Sequence, residues 1–155
     1  MAAENSAELE ARSIVTMRVI DAPRELAFDA FTNPDHLARW WGPNGFTTTT
    51  HAFDMRVGGE WRFTMHGPDG RDYENRIVYD EIVRPERIAY SHGGDGGAVM
   101  FKSTITLEDL GGKTRLTMRG VFPTKKDRDR VAETYGAVEG AKQTLERLAD
   151  FLARV

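Results

Sequence analysis

The chain has no cysteine. That excludes disulfide cross-links, thiolate nucleophiles and zinc–thiolate sites together. A long apolar run is missing too: nothing approaches the roughly eighteen consecutive apolar residues of a membrane-spanning helix. The segment from Met1 to Glu10 lacks the charged-then-apolar order of a secretory leader, so an untagged cytoplasmic protein is expected. Nor does one charge dominate. The 21 Lys and Arg stand against 24 Asp and Glu, a formal net charge of −3 at pH 7, and no basic block could follow a phosphate backbone. Nucleic acid is not an expected partner. His-x-x-x-His, His-Glu-x-x-His and acidic calcium-loop spacings are absent, so no metal is expected. There is no Gly-x-Ser-x-Gly elbow. The run Gly93-Gly94-Asp95-Gly96-Gly97 lacks the Gly-Lys-Ser/Thr ending of a phosphate loop and reads as a mobile hairpin, and nothing calls for a cofactor.

What is present reads as one domain. At 155 residues the chain can bury roughly two-thirds of the surface its unfolded form exposes, enough for a single core. Residues 1–12, rich in Ala and Glu, are expected to be a flexible lead-in, with the domain running from 13 to 155. Val15, Met17 and Val19 alternate with Thr16 and Arg18, the period of a half-buried strand. Asp21 and Pro23, then Asn33 and Pro34, each give a cap-plus-proline start, which predicts two short helices. The second ends at Gly42-Pro43. From Phe46 to Phe122, short alternating runs are punctuated by Gly58-Gly59, Gly67-Pro68-Asp69-Gly70, Arg84-Pro85-Glu86-Arg87 and Gly111-Gly112, predicting six further strands in an antiparallel meander. A capping box at Thr124 opens a long C-terminal helix, with a stripe of Val131, Tyr135, Val138, Leu145, Leu148, Leu152 and Val155. The sum is an α+β architecture: a seven-stranded antiparallel sheet, two short helices after the first strand, and a long helix over an apolar cavity.

That order is joined by several motifs: Phe31-Thr-Asn-Pro-Asp-His-Leu-Ala-Arg-Trp-Trp-Gly-Pro43, Arg56-Val-Gly-Gly-Glu-Trp-Arg-Phe63, Gly67-Pro-Asp-Gly70 and Arg84-Pro-Glu-Arg-Ile88. Together they resemble the START-related (SRPBCC) superfamily, in the branch named after the activator of the ninety-kilodalton heat-shock protein's ATPase. The resemblance covers nearly the whole chain from Ser13 and implies a helix-grip (START/Bet v-like) fold. Proteins of that fold bind lipids, sterols, hormones or polyketides, some catalyse cyclisation or ring opening, and one group stimulates a chaperone. The expectation carried to this chain is binding of a small, mostly apolar molecule between the C-terminal helix and the sheet. Two alternatives stand beside it: an enzyme of cyclase or hydrolase type using the same pocket, and a chaperone ATPase cofactor or interaction module. As partners, a chaperone or a second copy in a homodimer are open.

The inward faces predict the pocket lining. Trp61, Phe63 and Met65 share one strand face, with Tyr90, Phe101 and Met118 on later strands and Tyr135 and Val138 closing from above. Gly136 and Gly140, four apart in the predicted helix, suggest a close approach to the sheet or room for a ligand. Trp40 and Trp41 are neighbours, so one is expected in the core and the other near the cavity mouth, with Phe46 as a gate. If Pro68-Asp69 forms a tight turn, Ile77 pairs with Trp61 and the face bearing Tyr79 points inward; a one-residue slip would bury Glu74 and Arg76 instead. Of the four histidines only His92 is predicted to share the pocket face, where it could polarise a carbonyl or shuttle a proton beside Tyr90 or Tyr79.

Overall fold

The computed structural model describes residues 2–94 and 99–154. The glycine hairpin expected over 93–97 lies mostly outside the described residues, as does Val155. The elements are α1 (Ala2–Ala11), β1 (Ser13–Ile20), α2 (Arg24–Asp29), α3 (Pro34–Trp40), β2 (Thr47–Phe53), β3 (Glu60–His66), β4 (Asp72–Val83), β5 (Arg87–Gly93), β6 (Val99–Asp109), β7 (Thr114–Val121), α4 (Lys125–Tyr135) and α5 (Ala137–Ala153). All seven strands form one antiparallel sheet in the order β1-β7-β6-β5-β4-β3-β2. This is the expected helix-grip α+β fold. Residues 2–11, where a lead-in is predicted, form a helix joined to the domain at Arg12, whose carbonyl accepts from Phe122 N at 2.9 Å.

Local chemistry sets the helix starts. The Asn33 side chain accepts a hydrogen bond from Asp35 N at 2.8 Å with Pro34 at the first helical position, and Thr124 caps α4 through Asp127 N at 3.0 Å. At α2 the cap is Pro23, with no side-chain hydrogen bond, so Asp21 does not serve there.

Register decides which side chains face inward. In β1 the buried residues are Ser13, Ile14, Thr16 and Ile20, whereas Val15, Met17 and Val19 stand 45%, 60% and 50% exposed. The alternation in the sequence is real, but the face bearing the two isoleucines is the one α5 covers, so the Val15–Met17–Val19 row lies on the outer surface. β3 and β4 pair Trp61 with Ile77 across a wider, five-residue turn, 67–71. Tyr73, Asn75, Ile77 and Tyr79 therefore face inward. Arg76 remains outside, donating to Glu60 at 2.6 Å, as does Glu74, which accepts from Thr64.

The predicted single C-terminal helix is two. Gly136 takes φ +60 and ψ +38, a left-handed turn that ends α4 before α5 begins. Thr144, Leu145, Leu148 and Leu152 are the buried face of α5, but α4 contributes no buried residue. Because the break re-aims the chain, Tyr135 and Val138 are 60% and 38% exposed and do not close the concave face from above. Gly140 does make a close approach, although to the loop after α3: a Cβ there would lie 3.3 Å from Pro43 Cγ. The break predicts a sign. Gly136→Ala should destabilise the protein by about 1 kcal/mol, because alanine is strained at positive φ, whereas the same change inside a helix would stabilise it. Urea unfolding measures the sign directly. No helix among the described residues is long and apolar enough to cross a membrane.

Candidate functional site

β3 places Trp61 and Phe63 two residues apart on the concave face, their rings stacked at 3.9 Å and 22°. Trp40 and Trp41 diverge because α3 ends between them. Trp40 is helical and wholly buried, its indole N–H donating to Ala30 O at 3.1 Å and its ring edge-on to Phe31 at 4.9 Å. Trp41 has extended backbone, ψ 133, and its ring turns to meet Trp61 at 5.0 Å and Phe63 at 6.1 Å.

The segment from Trp41 to Phe46 lies over this aromatic group and is fastened to α5. Arg147 Nη1 donates to the carbonyls of Trp41, Gly42 and Pro43 at 3.3, 2.9 and 3.0 Å, and Asn44 N donates to Gln143 Oε1 at 3.0 Å. Partial burial lowers the Arg147 pKa, and the carbonyls at the end of α3, negative by the helix dipole, take the place of a carboxylate. Phe46 is half-buried, with its ring 6.0 Å from Tyr73.

Beneath Trp41 lies an apolar cavity of about 10 Å³, bounded by Phe31, Leu37, Trp61, Ile77, Tyr79, Ile88, Tyr90 and Ile105. That is the room of about one water molecule. The cavity expected between the C-terminal helix and the sheet is thus nearly closed, its space taken by the bulky rings that the sequence offers as lining. Of the predicted residues, Trp41, Trp61, Tyr79 and Tyr90 bound it, and Phe63 stacks behind Trp61. Met65 and Met118 are partly buried against the core, and Trp40, Tyr135 and Val138 lie away from the cavity.

The polar end of the same face is formed by His92. Its ring lies 4.8 Å from Phe101 and 6.1 Å from both Phe63 and Tyr90. Its Nε2 is 2.9 Å from Asn75 Oδ1, while Asn75 Nδ2 donates to Tyr73 O at 2.9 Å. The second bond fixes the amide: Oδ1 faces the imidazole and can only accept, so His92 carries its proton on Nε2. Nδ1 is left as a bare acceptor, with no hydrogen bond among the described residues. Burial lowers the His92 pKa to about 4, which keeps the ring neutral at physiological pH. Tyr90 is pushed up to about 12 by burial, against which a hydrogen bond with Ser103 acts in the opposite direction. Burial likewise raises Tyr79, with the neighbouring Tyr90 adding to it.

Asn75 and Ser103 were not singled out in the sequence. The signal was available in the register: Asn75 pairs with Phe63 and Ser103 with Tyr90, which puts one amide and one hydroxyl among aromatic positions. Among the described residues no group of His, Asp and Glu could hold a metal ion.

Residues 21–153 match the sequence model of a family described as "Activator of Hsp90 ATPase homolog 1-like protein". No curated protein matches the chain. Among solved structures, a protein from Arthrobacter aurescens is similar with a TM-score of 0.85 and 26% identity, covering 96% of this chain and 90% of that one. A Rhodobacter sphaeroides protein has a TM-score of 0.81 and 28% identity, with 94% and 95% covered. A Chromobacterium violaceum protein has a TM-score of 0.76 and 28% identity, with 91% and 96% covered.

Proposed function

The chain belongs to the activator of Hsp90 ATPase homolog 1-like family, a ligand-binding kind of fold, and from that premise we propose that it binds a small, mostly apolar molecule carrying one hydrogen-bond donor. The observation that carries the reading is the neutral His92 on an aromatic face, its Nε2 committed to Asn75 and its Nδ1 without a hydrogen bond among the described residues. Apolar pockets take their specificity from a few such placed polar groups. A hydroxyl or N–H on the ligand completes His92, and the ligand's body replaces the rings that now fill the space. The ring that must move is Trp41, because it sits on the Trp41–Phe46 segment and not on the sheet.

The test pairs molecules of one shape. 2-Naphthol should raise the thermal midpoint saturably, whereas naphthalene and 2-methoxynaphthalene, which cannot donate to Nδ1, should bind about ten- to a hundredfold more weakly. Equal binding of all three removes His92 from recognition. An acid–base enzyme in the same pocket is the weaker reading: a histidine with a pKa near 4 is a poor base at neutral pH, and no carboxylate hydrogen-bonds to it.

A chaperone-cofactor reading has one observation of its own, the exposed Val15–Met17–Val19 row on the edge strand β1. It requires that the chain change the ATP turnover of a heat-shock ATPase and that Met17→Lys abolish the effect. Unchanged turnover eliminates it.

A further inference from the structure

A second recess lies on the opposite side of α3 from the concave face, between α3 and the C-terminal part of α5. It is an open groove of about 750 Å³ lined by Asn33, Asp35, His36, Arg39, Arg147, Asp150, Phe151 and Arg154. Its chemistry differs from that of the apolar cavity at every wall. Arg39 and Arg154 are exposed and make no side-chain hydrogen bond or ion pair among the described residues. Arg147 already serves the carbonyls of the loop after α3. The Phe151 and His36 rings lie 5.4 Å apart, tilted by 51°, and Phe151 gives the groove its apolar wall. His36 Nδ1 is buried and has no hydrogen-bond partner.

Structural duty accounts for part of this set and leaves the rest. Asn33 caps α3, and Asp35 lies in its first turn, where a carboxylate favours the helix dipole. Among the described residues, nothing pairs with the guanidinium groups of Arg39 and Arg154 or hydrogen-bonds to His36 Nδ1. Two unpaired guanidinium forks beside an aromatic wall match a planar acid: the carboxylate is taken by the forks, the ring lies against Phe151, and a ring hydroxyl or amine meets His36 or Asp150.

We propose that the α3–α5 groove is a binding site for a small aromatic carboxylic acid bearing a hydroxyl or amino group, distinct from the apolar cavity under Trp41. The groove has more than enough room for a ligand of that size. The site takes a charged molecule that the concave face, with its neutral imidazole and buried phenols, would exclude.

The experiment is a heteronuclear NMR titration of the full chain with sodium 4-hydroxybenzoate. Saturable shifts are expected at His36, Arg39 and Phe151, with His92 unmoved. Arg39→Ala and Arg154→Ala change exposed side chains, and the spectrum itself reports that the fold is kept. Each should weaken binding by about tenfold, the loss of one charge-assisted contact. 4-Hydroxybenzyl alcohol, with the same ring and no charge, should produce no saturable shift. The proposal is overturned by the absence of saturable shifts, by equal affinity in both arginine variants, by equal binding of the alcohol, or by shifts confined to the concave face.

Discussion

Trp40→Ala is expected to lower the free energy of unfolding by about 3–5 kcal/mol, the usual cost of removing a large aromatic side chain from a close-packed core. Tyr135→Ala should change it by less than about 0.5 kcal/mol. Both residues are aromatic, both belong to the lining that the sequence suggests, and the structure separates them completely. Trp40 is wholly buried, hydrogen-bonded to Ala30 O and packed between Phe31 and Trp41. Its removal leaves a cavity and also an unpaired buried carbonyl. Tyr135 is 60% exposed on a helix that buries nothing. Urea unfolding of the two variants side by side gives the comparison; similar losses would mean that the Tyr135 ring is packed against the domain and not exposed.

The second large effect is a dependence of stability on pH that belongs to one residue. The folded His92 has a pKa of about 4, below its ordinary value of 6.5. Between those values the unfolded chain binds a proton that the folded chain refuses, so stability falls as pH drops through that window and is fully present above it. The full shift corresponds to about 3.4 kcal/mol, an upper figure because the ring is only partly enclosed. His92→Asn keeps a polar side chain without a titration, so its stability should vary less between pH 6.5 and 4. Other titrating groups are common to both proteins and cancel in the difference. Parallel curves would show that His92 is wet and titrates normally.

The sheet and its strand count were legible because turn chemistry is local: the Gly-Gly and Gly-Pro-Asp-Gly breaks fall between the strands where they are observed. Ile77 was expected opposite Trp61 and is found there, with the inward face of β4 as expected, but across a five-residue turn and not the tight Pro68-Asp69 turn on which the expectation rested. Three things were not legible, each for a physical reason. The covered face of β1 could not be read because Val15, Met17 and Val19 are as apolar as the buried Ile14 and Ile20, and only the placement of α5 decides between two apolar faces. The break at Gly136 was hidden because a helical glycine and a left-handed cap have the same sequence when both flanks continue the helical period. The pocket was overestimated because a list of lining side chains gives identities without volumes: Trp41, Trp61 and Phe63 fill most of the space they surround. The His92–Asn75 pair lies between these cases, since the histidine was placed on the right face and its partner on the neighbouring strand was missed.

One consequence joins the two ends of the site. A histidine nitrogen that accepts stands at the polar end of the aromatic group, so the proposed ligand is distinguished by a donor and not by charge. Arg147 ties down the segment carrying Trp41.

The central claim is therefore tested most directly by following the imidazole nitrogens of His92 by NMR while 2-naphthol is added. The account predicts that the Nδ1 resonance, initially that of an unbonded lone pair on a neutral ring, moves saturably as it accepts the naphthol hydroxyl, with Trp41 and Trp61 indole signals moving on the same curve. It would be contradicted if 2-naphthol left all three unmoved, or if Nδ1 were protonated at neutral pH before any ligand was added.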